Sequence, residues 1–161
     1  VELTGPEGVR RLPIREFYIK AGKVDLRPAE LQTAILLPRN AYEGYFGNYI
    51  KYSMRNAMDI ATLGCSVNVK LSEDKQRIED ARIAYGVAGP IPIRAVTAEE
   101  QIRGKELSSE QVSAFSKAVL ADINPRDSWR ASKAFREHIS QVLAKRALTE
   151  AIHRAGGEIH E

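Results

Sequence analysis

Cysteine is nearly absent: Cys65 stands alone in 161 residues. An intrachain disulfide is excluded, and a reducing, cytoplasmic compartment is the expectation. Long apolar runs are missing too. None approaches the ~18–20 residues that cross a bilayer, and no stretch has the pattern of a secretory signal. Charge of one sign is not concentrated. The net charge of +3 is mild, and bases are interleaved with acids, as in RIEDAR (77–82) and TAEEQIRGKE (97–106). Without a basic arm, nucleic-acid binding has no support. His138, His153 and His160 form no H-E-x-x-H pattern, and Cys65 has no partner, which argues against zinc. No G-x-S-x-G is present, so a serine hydrolase is unsupported. EGYFGN (43–48) holds Gly44 and Gly47 but is neither G-x-G-x-x-G nor a Walker loop; on its own it reads as a linker. His138 and His153 read as helix-surface residues and His160 as part of a disordered tail. Cys65 reads as a small buried hydrophobe.

What remains is the composition of a soluble globular protein, 43% hydrophobic. The chain begins at Val1 with neither a helix cap nor a leading strand, and is expected to be a C-terminal piece of something longer. LQTAILLP (31–38) is strand-like and stopped by Pro38. After a linker, strands are expected over Tyr49–Met54, Thr62–Leu71 and Ile78–Val87, with SEDKQR (72–77) as a turn. Cys65, Val67, Val69 and Leu71 share one face, and Ile78, Ala81, Ile83 and Tyr85 fall mostly on one side. Beyond GPIPIRA (89–95) the period changes. Thr97 and Glu100 fit a capping box, and Ser108 with Gln111 fits the same device. A helix over about 109–121 presents Val112, Phe115 and Val119. A long helix over about 131–154 presents Phe135, Ile139, Val142 and Leu143 and closes at Gly156-Gly157. The fold class expected is α+β: a three-stranded antiparallel sheet packed with three helices.

One stretch resists a bland reading. In NYIKYSMRNAMDIA (48–61), Lys51, Arg55 and Asp59 recur at four-residue spacing, as on a helix, yet the flanks are aromatic and β-branched, as in strands. The residues allow a hairpin with solvated charges. They also allow a loop that holds a cation against a ligand, with Asp59 orienting a cation and Ile60 packing on a ring. A lysine at a strand end suits a flavin, whose N1–C2=O edge gains negative charge on reduction.

Four segments in order resemble the C-terminal half of the FAD-binding (medium) subunit of the xanthine dehydrogenase family of molybdenum hydroxylases, similar to the C-terminal domain of the CO dehydrogenase flavoprotein. EGVRRLPIREFYIKAGKVDLRPAELQTAILLP (7–38) looks like the end of that family's flavin-binding domain. YIKYSMRNAMDIATLGCSVNVKL (49–71) looks like its K-x-x-x-R-x-x-x-D-I-A segment. ARIAYGVAGPIPIRAVTAEEQIRGK (81–105) and DSWRASKAFREHISQVLAKRAL (127–148) resemble its two later motifs. The match runs from about Gly8 to Ile152.

The resemblance implies residues 1–47 as the remnant of an FAD-binding domain and residues 48–161 as a C-terminal α+β domain, with the sheet over 48–88 and helices over 97–155. It implies electron flow from iron–sulfur clusters of a small subunit through FAD to NAD, after oxidation of a purine or related compound at molybdopterin in a large subunit. Lys51 and Gln32 are the positions that contact flavin, and Asp59 and Ile60 border the ring and the NAD approach. The glycine-rich segments that hold the FAD pyrophosphate lie upstream of Val1, so this chain alone is expected to bind FAD poorly and to be inactive. Two other readings stay open: a module that docks the other subunits, and a flavoprotein unrelated to molybdenum.

Overall fold

The computed structural model describes residues 1–161, which form two compact units, Val1–Glu43 and Gly44–Glu161. In the first unit, β1 (Glu2–Gly5) pairs antiparallel with β2 (Gly8–Arg11). A single helical turn, α1 (Ile14–Phe17), leads into the short hairpin of β3 (Tyr18–Lys20) and β4 (Lys23–Val24). The strand β5 (Leu31–Ala34) then returns to the other edge of β1. Val1, Leu3 and Phe17 are the buried hydrophobes, with Leu12 and Val24 packed on them. Arg10 ties the unit together: it donates to Glu30 through Nε at 2.7 Å and Nη2 at 2.8 Å, and to Asp25 through Nη1 at 2.8 Å. The strand expected to run to Pro38 ends at Ala34. Its partner β1 starts at Glu2, opposite Ala34, so Ile35–Leu37 have no ladder to join and are exposed.

The second unit is an antiparallel meander in the order β6-β7-β8-β9, formed by β6 (Phe46–Tyr52), β7 (Leu63–Leu71), β8 (Ile78–Gly86) and β9 (Ile93–Arg94). Three of these match the sequence expectation. The fourth, β9, is too short to show a period of two. The first begins earlier than expected, at Phe46 opposite Val69, because the residues read as linker find partners on β7. Alternation along β7 buries Leu63, Cys65, Val67 and Val69. In β8 the inward set is Ile78, Ala81, Ile83 and Tyr85, a step of three and then steps of two. A bulge explains it: Leu71 pairs with Ile78 and Lys70 with Asp80, so Glu79 is the extra residue.

Three helices cover the inward face. They are α2 (Val96–Ile102), α3 (Ser109–Ala118) and α4 (Lys133–Arg154), and a 3₁₀ turn over Val119–Ala121 extends α3. The α4 helix packs against β6 and β7, α2 lies against β8, and α3 lies against both helices. Small side chains let α4 approach closely: Ala144, Ala147 and Ala151 are fully buried. Ser108 caps α3 by accepting from the Gln111 amide at 3.2 Å, as the sequence suggests, and Ser132 caps α4 through the Phe135 amide at 3.2 Å. The Thr97 capping box is not formed. The helix already begins at Val96, and Thr97 instead donates its amide and hydroxyl to the Asp122 carboxylate at 2.8 and 3.1 Å. Gly156 follows α4 with φ +80°, where a glycine ends a helix without steric cost. The tail expected to be disordered is paired: the Leu107 carbonyl accepts from the His160 amide at 2.9 Å, and the His160 carbonyl accepts from Ser109 at 2.8 Å.

Candidate functional site

The β6–β7 connection decides the puzzle of four-residue spacing. Strand geometry persists through Tyr52, and residues 53–62 form an irregular loop, not a helix. The amide of Thr62 donates to the Tyr52 carbonyl at 2.8 Å and shuts the base of this loop. Inside it, one Asp59 carboxylate oxygen accepts from the Met54 and Arg55 amides, both at 2.9 Å. Burial opposes ionisation of Asp59, but the Arg55 and Met54 amides and the Arg55 charge outweigh it and hold the carboxyl below its usual range. Arg55 Nη2 donates to the Met58 carbonyl at 2.7 Å, which holds Met58 at φ +50°. Lys51 Nζ donates to the Asp59 carbonyl at 2.5 Å. The K-x-x-x-R-x-x-x-D pattern is therefore a self-organising loop. Asp59 meets the lysine through its backbone and the arginine at 3.8 Å through its carboxylate.

Lys51 projects from the sheet face opposite the helices, because it pairs with Gly64 and shares that side with Tyr49, which pairs with Ser66. A Cβ on Gly64 would come within 2.9 Å of the Tyr49 hydroxyl, so the phenol lies across a glycine. Ile60, Met54 and Met58 are exposed on the loop. Lys51, Asp59 and Ile60 thus belong to one short connection. Gln32 belongs to the other unit, on β5 opposite Leu3, with its side chain exposed.

Sequence reasoning missed two buried charged groups that support this region. Arg136, on α4, is 2% exposed and has no carboxylate partner. Its Nε donates to the Thr62 carbonyl at 3.3 Å, Nη1 to the Arg126 carbonyl, and Nη2 to Ser128 Oγ at 2.8 Å. The base of the Lys51 loop and the approach to α4 therefore share one guanidinium. Burial first, and the Arg126 charge second, lower its pKa. The available signal was an arginine in phase with the apolar residues Ile139 and Leu143. The second group is Glu99, 3% exposed, which accepts from the Ile83 amide at 2.9 Å and from Arg94 Nε at 2.8 Å. It supplies an acceptor at the short β8–β9 junction. This explains why the arginine of PIPIRA and a glutamate five residues on occur together. On the outer face, Asp80 accepts from Tyr45 at 2.5 Å and from Arg103 at 2.9 Å, a brace satisfied within the chain.

The model of the CO dehydrogenase flavoprotein C-terminal domain matches residues 48–151. The chain belongs to this family. It is 40% identical over 159 residues to the xanthine dehydrogenase FAD-binding subunit of Escherichia coli O157:H7, covering 99% of this chain and 54% of that protein. It is 30% identical over 148 residues to the glyceraldehyde dehydrogenase medium chain of Sulfolobus acidocaldarius, covering 92% and 51%. The carbon monoxide dehydrogenase structure from Hydrogenophaga pseudoflava matches with a TM-score of 0.81 at 27% identity, over 95% of this chain and 52% of that one. The chain spans about half the length of the curated relatives it matches. Family membership accounts for the α+β architecture and the order of the four motifs. No helix is long and apolar enough to cross a membrane.

Proposed function

We propose that the chain is the ring-side part of an FAD-binding subunit in a xanthine dehydrogenase-type molybdenum hydroxylase of the cytoplasm. In this reading, residues 1–47 end the flavin-binding domain and residues 48–161 form the C-terminal domain. Electrons come from iron–sulfur clusters in a small subunit, after substrate oxidation at molybdopterin in a large one, and leave to NAD. The observation that carries the reading is the tether of the Lys51 ammonium to the Asp59 carbonyl at 2.5 Å on an exposed sheet face.

The residues present fit the ring and not the phosphates. Lys51 is an exposed cation with a fixed base, Ile60 offers an apolar surface beside it, and Gln32 is a polar side chain on an exposed strand. No glycine-rich turn opens a helix anywhere in the chain, so a diphosphate finds no cradle of amides here. FAD, when bound, supplies a carrier that takes electrons singly or as hydride. Lys51 holds a positive charge where the ring's N1–C2=O edge grows negative. Asp59 keeps the loop in one conformation, and the lysine therefore loses little freedom on meeting the ring. Ile60 excludes water from one side. The chain by itself positions and does not turn over.

FAD titration of the full-length subunit, followed by absorbance and flavin fluorescence, tests the reading. Stoichiometric binding by the full-length protein is expected, with none by this chain alone. Lys51→Ala lowers the flavin potential, since the reduced, anionic ring loses a cation. Full-length protein that never holds flavin overturns the proposal. An unchanged potential in Lys51→Ala removes Lys51 from it.

A further inference from the structure

Near the Arg136 end of α4 the chain displays its only tryptophan. Trp129 is 82% exposed, a placement that needs a reason for so large an apolar side chain. It is not at the tip of a loose loop. The Ser128 amide donates to the Ala131 carbonyl at 3.0 Å and the Ala131 amide returns to Ser128 at 3.2 Å, leaving Trp129 and Arg130 as the two central residues of a tight turn. Arg136 holds that turn from below through the Arg126 carbonyl and Ser128 Oγ. The Lys133 amide donates to Asp127 Oδ1 at 2.7 Å, and the Asn124 amide donates to the Ala88 carbonyl at 2.9 Å. The aromatic is presented on a backbone already fixed, so the ordering cost of binding through it is small.

The surroundings say what kind of surface it meets. Arg130 stacks over the indole at 4.3 Å, and neither Arg130 nor Arg126 has an ion-pair partner. Arg136 is buried and its guanidinium is spent on Thr62, Arg126 and Ser128, so the unpaired positive charge on this surface comes from Arg126 and Arg130. Phe135 is 39% exposed and contacts Tyr52, 38% exposed, at 5.9 Å between ring centroids. Exposed tryptophan and arginine are the residue types that most often dominate protein–protein binding energy.

We propose that Trp129, with Arg126 and Arg130, is the anchor of a docking surface for a partner subunit that offers an apolar socket rimmed by carboxylates. The commitment to an acidic partner rests on the unpaired guanidinium groups, and the commitment to a subunit rests on the reading of this chain as one part of a heteromeric complex. The surface lies on the same unit as Lys51, and Arg136 links its backbone to Thr62 at the base of the Lys51 loop.

The test uses the full-length subunit purified with its iron–sulfur and molybdenum-binding subunits, and compares wild type with Trp129→Ala and with Arg126→Glu/Arg130→Glu. Both changes are at the surface of this chain, so thermal melts of the isolated full-length subunit should coincide with wild type; a lowered melting temperature in Trp129→Ala overturns the docking surface in favour of a contact with the rest of the subunit. Trp129→Ala is expected to weaken assembly by about 30-fold or more, the loss typical of a central anchor. The double charge reversal is expected to weaken it too, and wild-type assembly to weaken as salt rises. Wild-type affinity in Trp129→Ala overturns the docking surface. Concentration-dependent self-association of the subunit that Trp129→Ala abolishes also overturns it, in favour of a second copy. Assembly that depends on Trp129 but carries no flavin leaves docking standing and sinks the flavin reading. No assembly by wild type overturns the docking surface, while flavin binding by the same subunit still decides the flavin reading.

Discussion

Replacing Glu99 tests the logic of the β8–β9 junction. The carboxylate is buried and serves three donors: the Ile83 amide at 2.9 Å, Arg94 Nε at 2.8 Å and Arg94 Nη2. Glu99→Ala leaves the Ile83 N–H, on a fully buried residue, without an acceptor. An orphaned buried amide costs about 1–3 kcal/mol. The Arg94 pair adds less, because the Arg94 side chain is 52% exposed and water screens it, so about 0.5–1 kcal/mol is the allowance. The expected loss in Glu99→Ala is therefore about 3 kcal/mol, or roughly 10 °C in Tm for a chain of this size. Glu99→Gln keeps an amide oxygen for Ile83 and Arg94 Nε but gives up the charge and turns its NH2 toward the Arg94 Nη2 donor, so it should lose about 1 kcal/mol, well short of the alanine variant. Urea unfolding with both midpoint and slope gives the energies, and hydrogen exchange gives the site: the Ile83 amide should exchange much faster in Ala than in Gln. Equal losses in the two variants would refute the reasoning, since the acceptor would then not be what matters. So would a loss in Glu99→Ala below about 0.5 kcal/mol, the range of ordinary surface changes.

Three other outcomes follow from single contacts. A Cβ at Gly157 would lie 2.7 Å from both Leu107 Cδ1 and Leu71 Cδ1 and 3.0 Å from Ile152 Cγ2, so Gly157→Ala should cost about 1–3 kcal/mol by overpacking, read from the urea midpoint. The Glu30 carboxyl is held down to about 2, chiefly by its hydrogen bonds from Arg10 and then by the Arg27 amide. Its stabilising contribution is complete above the unfolded value of 4.5 and is lost as pH falls from there toward 2. A carboxyl carbon titration by NMR should place it near 2, and a midpoint near 4.5 would show that Arg10 does not hold it. Burial pushes the Cys65 thiol up to about 12, and it is fully buried. It should resist iodoacetamide in the native chain and react only on unfolding; fast native labelling would mean that the α4–sheet core opens locally.

Elements whose physics is local were readable in advance. Period-two alternation announced β7 and β8, and Ser108 caps α3 where its local pattern placed a cap. The motif order carried the family, and two of the motifs hold local bonding that the sequence spacing suggests. Asp59 organises its own loop, and Asp127 with Ser132 starts α4. Thr97 shows the limit. Its capping pattern was sound, but the Asp122 carboxylate, 25 residues away, claimed its amide and hydroxyl. His160 shows the same: a tail with no pattern of its own pairs with Leu107–Ser109 because the fold carries it there.

By itself, then, the amino-acid order determined the alternating core of β7 and β8 and the helical stretches, and offered Lys51, Arg55 and Asp59 as either solvated charges or one loop, since these depend on neighbours within about ten residues. Tertiary structure alone decided what supports them. A two-residue strand has no period to detect, so β9 exists only because β8 offers it an edge. Arg136 is 74 residues from the Thr62 carbonyl it serves, and Glu99 is 16 from the Ile83 amide. A buried charge is tolerated only where acceptors from several elements converge, and no reading of one segment can reveal that convergence.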